Sequence, residues 1–449
     1  MPPKRFHGED VDPEPLGRPL AFKFSGRTAT NRFLKASMTE RLSTWDAKDL
    51  PKRGVPTKEL INVYKRWGEG GFGVILTGNT MFEYDHLEAA GNPIIPRDAP
   101  FSGERFQGFA DIASQAKAHG SLVVCQLSHP GRQVTADIQE HPISASDVHL
   151  DQVIMGMRFT KPRAMDKKDI QDVIDGFAHA AEYCYKAGFD GIELHGAHGY
   201  LLAQYLSPTT NKRTDEYGGS LLNRSRLIFE VADEIRKRVN DEKFIVGIKV
   251  NSVEFQESGF STDDCKSLCA ALEERNFDFV ELSGGTYQDL AFAHRRESTK
   301  KREAFFLEFA EKIVPLLTKT KVYVTGGFRS ADAMVNALQT VDGIGLARPA
   351  SNEFDLPKKI LDGSVKSAVE YFDEQEYALT NLASGTQMRL VGNDNEPLDF
   401  TRDDHREPFL KSMEKWVQEM SKNEDNSKFG FVDVEGVKLQ PYGTPYASN

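Results

Sequence analysis

The sequence is divided by eight short apolar runs, most of them followed by a segment with helical periodicity. Within most runs the apolar residues are consecutive rather than alternating, which is typical of strands that are buried on both faces. The runs are Phe33–Met38, Phe72–Thr77, Leu122–Leu127, Gly191–His195, Phe244–Val250, Phe279–Leu282, Val322–Thr325 and Gly343–Ala347. Such a series of βα units predicts an α/β fold, a closed (β/α)8 TIM barrel. An open doubly wound sheet fits less well, because no GxGxxG motif follows the first run.

The barrel pattern occupies the middle of the chain. Residues 1–30 are expected to form an irregular N-terminal arm, and residues 31–364 to form the barrel. Residues 365–449 contain no further strand–helix repeat. We expect them to form a C-terminal helical extension and tail, with helices at Val369–Leu379 and Phe409–Met420. This extension would pack on the barrel or on a second subunit.

Composition narrows the classes of partner. The formal net charge is −11, which disfavours a nucleic acid or an anionic membrane surface. No run approaches the ~20 apolar residues of a membrane span, and the first residues lack the apolar core of a signal peptide. The four cysteines form no CxxC pair, so we expect a reducing, cytoplasmic location. A small-molecule substrate is the expected partner, and homo-oligomerisation stays open.

Two of the predicted strands end in residues that could bind an anion. Gly326 and Gly327 follow the seventh run, and Arg348 follows the eighth. The loops after strands 7 and 8 are the usual phosphate-binding place of this fold, where backbone N–H groups and a guanidinium can hold the anion. The alternative, in which Gly-Gly only makes a tight turn, is less favoured once Arg348 is considered.

His195 and His198 follow the fourth run, with Tyr200 beside them. Three interpretations are open: a structural pair, a metal site with His129 as third ligand, or two hydrogen-bond donors to a substrate oxygen. No carboxylate or cysteine completes an obvious ligand set, so no metal is predicted. A neutral phenol can donate a proton at neutral pH, which makes Tyr200 a candidate proton donor.

Lys249 ends the fifth run, and the sequence alone allows two roles for it. It could form a Schiff base, as in aldolases, or act as a fixed positive charge. A phosphate-binding barrel aldolase or isomerase that uses Lys249 is therefore an alternative function. That alternative leaves Gln126 and the histidine pair without a role.

Several of these segments together resemble the Old Yellow Enzyme family of flavin oxidoreductases. The most specific stretch is HGAHGYLLAQYLSPTTNKRTDEYGGSLLNR at residues 195–224, and Asn31-Arg32, Gln126–Arg132, Thr325–Phe328 and Arg348 match in the same order. The resemblance covers about residues 16–360. It implies an ene-reductase whose barrel binds FMN and transfers hydride from NAD(P)H to an activated C=C bond. A barrel that binds FMN without turnover is less favoured, because Tyr200 and both histidines are present.

The resemblance also implies roles for the residues at the strand ends. Against the flavin ring would lie Ala36, Met38 and Thr39, with Gly78 and Gln126 at its edge. Lys249 would lie near N1 and O2 of the ring. The phosphate would be held by Gly326, Gly327, Ala347 and Arg348. The activating oxygen of the substrate would accept hydrogen bonds from His195 and His198. Tyr200 would protonate the α-carbon of the substrate.

The chain departs from the family pattern at three positions near this site. Thr39 replaces a redox-tuning cysteine of one branch, Arg41 replaces an active-site tyrosine, and Ala347 replaces a frequent glycine. We therefore expect no thiol control of the flavin potential, and the role of Arg41 stays open. Closely spaced cysteines, which hold an iron–sulfur cluster in some longer relatives, do not occur in the sequence, so no cluster is predicted.

Overall fold

A computed structural model describes residues 3–154, 156–252, 254, 258–284, 307–372 and 377–446. Eight parallel strands form a closed barrel: β1 (Phe33–Lys35), β2 (Val74–Leu76), β3 (Leu122–Leu127), β4 (Gly191–Gly196), β5 (Ile245–Asn251), β6 (Phe279–Ser283), β7 (Lys321–Thr325) and β8 (Gly343–Leu346). The strands follow one another around the ring in chain order, and β8 pairs with β1 to close it. The predicted fold class is confirmed, and the open sheet is excluded because the strands form a closed ring with no edge strand.

Helices cover the outside of the barrel, and others lie in the C-terminal extension. Their bounds are Glu14–Gly17, Lys58–Glu69, Gly103–Lys117, Lys167–Lys186, Leu201–Leu206, Leu221–Arg224, Arg226–Val239, Thr262–Glu274, Ala331–Ala337, Arg348–Asn352, Leu356–Leu361, Tyr377–Gly392 and Asp403–Met420, and residues 307–313 are also helical. Polar caps start several of them. Asp166 and Ser261 each form a reciprocal capping box with the residue three positions on, which satisfies the first free N–H groups of the helix.

The strand register brings residues from different parts of the chain side by side. Lys249 on β5 lies opposite His195 on β4 and opposite Glu281 on β6. Thr325 on β7 lies opposite Gly345 on β8. Because all eight strands are parallel, their C-terminal residues meet at one end of the barrel.

The N-terminal arm is more regular than the sequence predicts. Leu20–Ala21 and Thr28–Ala29 form a short antiparallel hairpin, whose turn contains Gly26 at a φ angle of 67°. Phe22 within the hairpin packs on Phe279, the first residue of β6, with ring centres 6.0 Å apart. The prediction of an irregular arm is therefore wrong for these residues. Their apolar side chains gain burial by closing the N-terminal end of the barrel.

The C-terminal extension packs on the barrel. Its helix Tyr377–Gly392 lies against the barrel helix Lys58–Glu69. The predicted helix at Val369–Leu379 is wrong in its first part, because Val369 forms a β-bridge with Arg5 of the arm. The predicted helix at Phe409–Met420 is confirmed and begins earlier, at Asp403.

Two further predictions concern the whole chain. No helix among the described residues is long and apolar enough to cross a bilayer. All four cysteines are buried and free. The domain limits at residues 30 and 364 stay predictions.

Candidate active site

A cavity of about 1090 Å³ lies at the C-terminal ends of the strands. Most ligand pockets have volumes of about 300–1,000 Å³, so this cavity has room for more than one ligand. Most of the predicted site residues line it: Met38, Thr39, Gln126, His195, His198, Tyr200, Lys249, Gly326, Gly327, Ala347 and Arg348. The structure therefore brings these residues together in one place.

One part of the cavity wall is suited to an anion. Gly326 and Gly327, after β7, have φ angles of 138° and 85°, which only glycine adopts without strain. Their backbone can face the cavity with no side chain in between. Arg348, at the end of the neighbouring strand β8, also lines the cavity, and its Nη1 donates to Thr380 Oγ1 at 2.8 Å. A glycine turn beside a positioned guanidinium fits a phosphate group.

Charged side chains fill the barrel interior beneath the cavity. Lys249 Nζ lies 3.1 Å from Glu281 Oε1, and Gln126 Nε2 donates to Glu193 Oε1 at 2.7 Å. Burial, followed by the charge of Glu281, raises the pKa of Glu193 well above its ordinary value, which favours the neutral form of Glu193. Glu281 faces Lys249 on the other side.

His195 and His198 are hydrogen-bonded to each other. His195 Nε2 lies 3.1 Å from His198 Nδ1, and His195 Nδ1 lies 2.8 Å from Asn79 Oδ1. An amide oxygen only accepts, so His195 carries its proton on Nδ1 and accepts from His198 at Nε2. His198 Nε2, 2.9 Å from Ser283 Oγ, then accepts from the hydroxyl. The four side chains form one chain of hydrogen bonds along the cavity wall.

Both histidines are uncharged at neutral pH. Burial, followed by the neighbouring His198 and Lys249, lowers the pKa of His195 well below its ordinary value. Burial and Lys249 lower the pKa of His198 to about 3. His198 also has a φ angle of 59°, a strained conformation for a residue with a side chain. The ring of Tyr200 packs on His195, with ring centres 4.5 Å apart, and Tyr200 is only 4% exposed.

Two predicted site residues, Ala36 and Gly78, do not line the cavity. Ala36 is fully buried in the apolar interior of the barrel. The N–H of Gly78 donates to Glu40 Oε1 at 2.9 Å, and a Cβ at this position would lie 2.3 Å from the carbonyl oxygen of Met38. Gly78 therefore allows a close backbone approach behind the cavity wall. The predicted contacts of both residues with a flavin ring lack structural support.

His129 lies apart from the histidine pair, in a cluster with Glu83 and His86 that is compact enough to hold a metal ion. Its Nε2 lies 3.3 Å from Glu83 Oε2, and His86 Nδ1 lies 2.8 Å from the same oxygen. However, His129 Nδ1 accepts a hydrogen bond from the N–H of Gly131 at 3.0 Å. The proton of the neutral ring is therefore on Nε2, which leaves this nitrogen no lone pair for a metal. Against the effect of burial, hydrogen bonds to Asp85 and Glu83 raise the pKa of His86 to about 9, so the cluster is an ion-pair network.

Some residues of the cavity were missed from the sequence. The C-terminal extension supplies one wall, with Tyr377, Leu382, Met388, Trp416, Met420, Phe429 and Phe431. In the sequence these residues resemble the apolar face of any helix or loop. No sequence pattern therefore indicated that they line a cavity. Glu281 was also missed, although a charged residue inside an apolar strand is a signal that could have found it.

The fold and the cavity together define a barrel enzyme that works with a phosphate-bearing cofactor. The sequence pattern of the NADH:flavin oxidoreductase / NADH oxidase family matches residues 15–366, and the chain belongs to this family. The resemblance to the Old Yellow Enzymes is confirmed. The predicted cofactors, FMN and a nicotinamide hydride donor, are confirmed as well. The protein is therefore an FMN-dependent oxidoreductase, and the aldolase or isomerase alternative loses its support.

The chain is similar in sequence to a fungal flavin oxidoreductase. The NADH-dependent flavin oxidoreductase nadA of Aspergillus parasiticus is 51% identical over 414 residues, which are 92% of this chain and 93% of that protein. The family pattern ends at residue 366. An alignment that covers 92% of the chain therefore continues into the C-terminal extension.

Two solved structures share the fold. A complex of 2-naphthoyl-CoA reductase with 2-naphthoyl-CoA has a TM-score of 0.69 at 22% identity, over 79% of this chain and 54% of that one. Morphinone reductase in complex with tetrahydroNAD has a TM-score of 0.63 at 22% identity, over 79% of this chain and 92% of that one. At these identities the likeness establishes the fold alone, and the chain spans about half the length of the first structure.

Proposed function

We propose that the protein is an ene-reductase, which reduces the C=C bond of α,β-unsaturated carbonyl or related compounds. The observation that carries the proposal is the convergence of His195, His198 and Tyr200 in one cavity with Lys249 and Arg348. The histidines offer hydrogen bonds to a carbonyl oxygen, and the tyrosine offers a proton to the neighbouring carbon. The similarity to the NADH-dependent relative of Aspergillus parasiticus supports NADH as the hydride donor.

The residues of the cavity fit FMN. We assign its contacts to Met38, Thr39, Gln126, Lys249, Gly326, Gly327, Ala347 and Arg348. Bound FMN would supply the chemistry of hydride transfer between the nicotinamide and the substrate. The ammonium of Lys249 would stabilise negative charge on the reduced ring. Gln126 is oriented by its hydrogen bond to Glu193, so its amide has a fixed direction.

The histidine pair is assigned to the activating oxygen of the substrate. Hydride addition at the β-carbon moves negative charge onto that oxygen, so preorganised donors stabilise the transition state. Ser128 Oγ lies 3.2 Å from His195 Nδ1. In the alternative tautomer of His195, in which Nδ1 accepts from this hydroxyl and gives up its hydrogen bond to Asn79 Oδ1, the ring proton is on Nε2. Nε2 of His195 and Nδ1 of His198, which lie 3.1 Å apart, would then both carry protons and could turn to one shared acceptor, the substrate oxygen.

Tyr200 is assigned as the proton donor to the α-carbon. Its ring is held against His195, and little of it is exposed. A phenol of pKa ~10 is protonated at neutral pH, and a positioned general acid accelerates proton transfer. Tyr200 therefore completes the addition of one hydride and one proton across the C=C bond.

Lys249 is better suited to a fixed charge than to imine formation. A Schiff-base lysine must present an unprotonated amine to the carbonyl carbon. Nζ of Lys249 instead lies in an ion pair, 3.1 Å from Oε1 of Glu281. This ion pair argues against an aldolase mechanism at the same cavity.

An isotope experiment tests the function directly. The FMN-loaded protein is incubated without oxygen with cyclohex-2-enone and NADH that carries deuterium at C4 of the nicotinamide, and the product is analysed by mass spectrometry and NMR. We expect cyclohexanone with deuterium at the β-carbon only. In D2O with unlabelled NADH, we expect deuterium at the α-carbon. NADH consumption that requires oxygen, with no saturated ketone from any enone tried and no nitroalkane from any nitroalkene tried, would contradict the proposal and indicate an oxidase.

A further inference from the structure

We propose that the substrate carries an acidic group, a carboxylate or an ionised phenol, which Arg41 binds, and an apolar body that packs on the C-terminal extension. This inference rests on the ene-reductase function proposed above and names the class of compound on which that site acts. Its basis is the position of Arg41 in the cavity, the charge around it and the apolar wall of the cavity beside it.

Arg41 is a cation in the cavity wall without a counter-charge. It lies after β1, lines the cavity and has a φ angle of 55°. Its Nε is buried with no hydrogen-bond partner, and no ion pair or hydrogen bond of its guanidinium occurs in the part of the chain that the structure describes. A buried N–H group without a partner destabilises the fold, so a ligand that accepts from it gains binding free energy.

Arg41 differs in its hydrogen bonding from Arg53, an arginine with a structural role. Arg53 donates from all three of its guanidinium nitrogens to backbone carbonyl oxygens. Arg41 instead has its guanidinium carbon 4.8 Å from the ring centre of Phe431 in the extension. This cation–π contact holds one face of the guanidinium and leaves its N–H edges for another group. The arrangement orients a charged fork for an anionic oxygen.

A short chain of contacts connects Arg41 to the histidine pair. Thr39, two residues before Arg41, accepts from Asn79 Nδ2 at 3.4 Å. Asn79 Oδ1 in turn lies 2.8 Å from His195 Nδ1. Arg41 and His195 therefore belong to the same part of the cavity wall. One molecule can place its activating oxygen between the histidines and a second, anionic oxygen at Arg41.

Charge in the cavity favours an acid. The chain has a net charge of −11, yet most charged side chains that line the cavity are basic. The lining includes Arg41, Arg158, Lys249, Arg329, Arg348 and Lys428 against Glu88 and Asp137. Glu88 already accepts hydrogen bonds from Thr39 and Asn92. A cavity lined mainly by positive charge attracts an anionic ligand.

The cavity wall that contacts Arg41 through Phe431 is apolar and comes from the C-terminal extension. Leu382, Met388, Trp416, Met420, Phe429 and Phe431 line it. Phe431 is fixed by close packing on Gly385, where a Cβ would lie 2.3 Å from its ring. Large apolar side chains held in this way favour a hydrophobic skeleton, because burial of apolar surface stabilises the complex. The ligand class is therefore an apolar acid rather than a small polar one.

A matched pair of substrates tests the inference. The FMN-loaded full chain is assayed with a cyclohexenone that carries a butanoate side chain and with its methyl ester. We expect kcat/KM of the wild-type protein to favour the acid by about tenfold to a hundredfold, the range of one charge-assisted contact. Arg41→Met should remove this preference, and Arg41→Lys should keep part of it. Arg389→Met is the matched control, because Arg389 pairs with Asp433 of the extension and should leave the preference unchanged.

A binding measurement separates this inference from the ene-reductase proposal. The saturated ketone acid and its ester are titrated against the flavin absorbance of the holoprotein, which needs no turnover. Tighter binding of the acid that Arg41→Met abolishes supports the inference, even where neither enone is reduced. Equal kcat/KM and equal affinity for acid and ester in the wild-type protein overturn it. An Arg41→Met variant that weakens NADH binding alone also overturns it, and assigns Arg41 to the dinucleotide pyrophosphate.

Discussion

Lys249 and Glu281 lie side by side on neighbouring barrel strands, with Nζ 3.1 Å from Oε1. Both side chains are buried, and the protonated Glu193 beyond them adds no negative charge. The ammonium of Lys249 at the floor of the cavity is thus opposed by the carboxylate of Glu281. Under the proposed function, this pair would set the charge that a bound flavin meets.

The first prediction concerns the potential of the bound flavin. Lys249→Met should lower the midpoint potential, because the reduced ring is anionic and loses a stabilising charge. Glu281→Gln should raise it, because the opposing charge is gone. A change of ~1.4 kcal/mol corresponds to about 30 mV for a two-electron couple, so shifts of this order are expected in a spectroelectrochemical titration.

A double variant controls for stability in that experiment. Lys249→Met alone leaves a buried carboxylate without its partner, which costs about 3–5 kcal/mol in comparable pairs. Combining it with Glu281→Gln removes both charges and should recover much of the free energy of unfolding. Potentials that stay the same in all three variants would show that the pair is structural only.

The second prediction is that Arg348→Ala weakens FMN binding. Arg348 is assigned to the phosphate, and a hydrogen bond to a charged group contributes ~1.5–3 kcal/mol. The dissociation constant for FMN should therefore rise by about tenfold to a hundredfold, measured by fluorescence quenching of the free flavin. Arg163→Ala, which removes a surface pair with Asp169, should leave the affinity unchanged. An Arg348→Ala variant that binds FMN as tightly as the wild-type protein would show that the phosphate is bound elsewhere.

The third prediction separates the two half-reactions by means of Tyr200→Phe. A positioned general acid contributes ~10²–10⁴ in rate, so oxidation of the reduced protein by an enone should slow by this factor. Reduction by NADH requires no proton from Tyr200 and should change little. Nitroalkenes give a nitronate that water can protonate, so their consumption should be largely kept. Stopped-flow traces that show equal slowing of both half-reactions would assign Tyr200 to packing.

The fourth prediction follows from the lowered pKa of His195. The unfolded chain binds a proton at this residue below pH ~6.5, whereas the folded chain does not until much lower pH. The free energy of unfolding should therefore fall as pH falls below ~6.5, by up to about 1.4 kcal/mol per pH unit for this group. His195→Asn should reduce that slope in urea titrations at pH 6.5, 5.5 and 4.5. His119→Asn, at an exposed position, is the control, and equal slopes in both variants would refute the assignment.

The cavity shows which parts of the site could be read from the sequence. Gln126, His195, Tyr200 and Lys249 were found because each stands at the C-terminal end of a predicted strand, where parallel strands bring such residues together. Ala36 stands in the same run as Met38, yet only Met38 reaches the cavity. Whether the side chain of a given residue reaches the cavity depends on where the strand ends and how the chain turns. The local sequence pattern does not determine this.

The sequence by itself determined the eight-stranded barrel, since runs of consecutive apolar residues between amphipathic helices have few ways to be buried other than a closed parallel sheet. It also determined the family, through residues 195–224 and the ordered motifs around them. Only the tertiary structure decided that the C-terminal extension walls the cavity, that Glu281 opposes Lys249, and that Phe431 packs on Arg41. These contacts join residues far apart in the chain, and their geometry arises from packing and burial that no local pattern encodes.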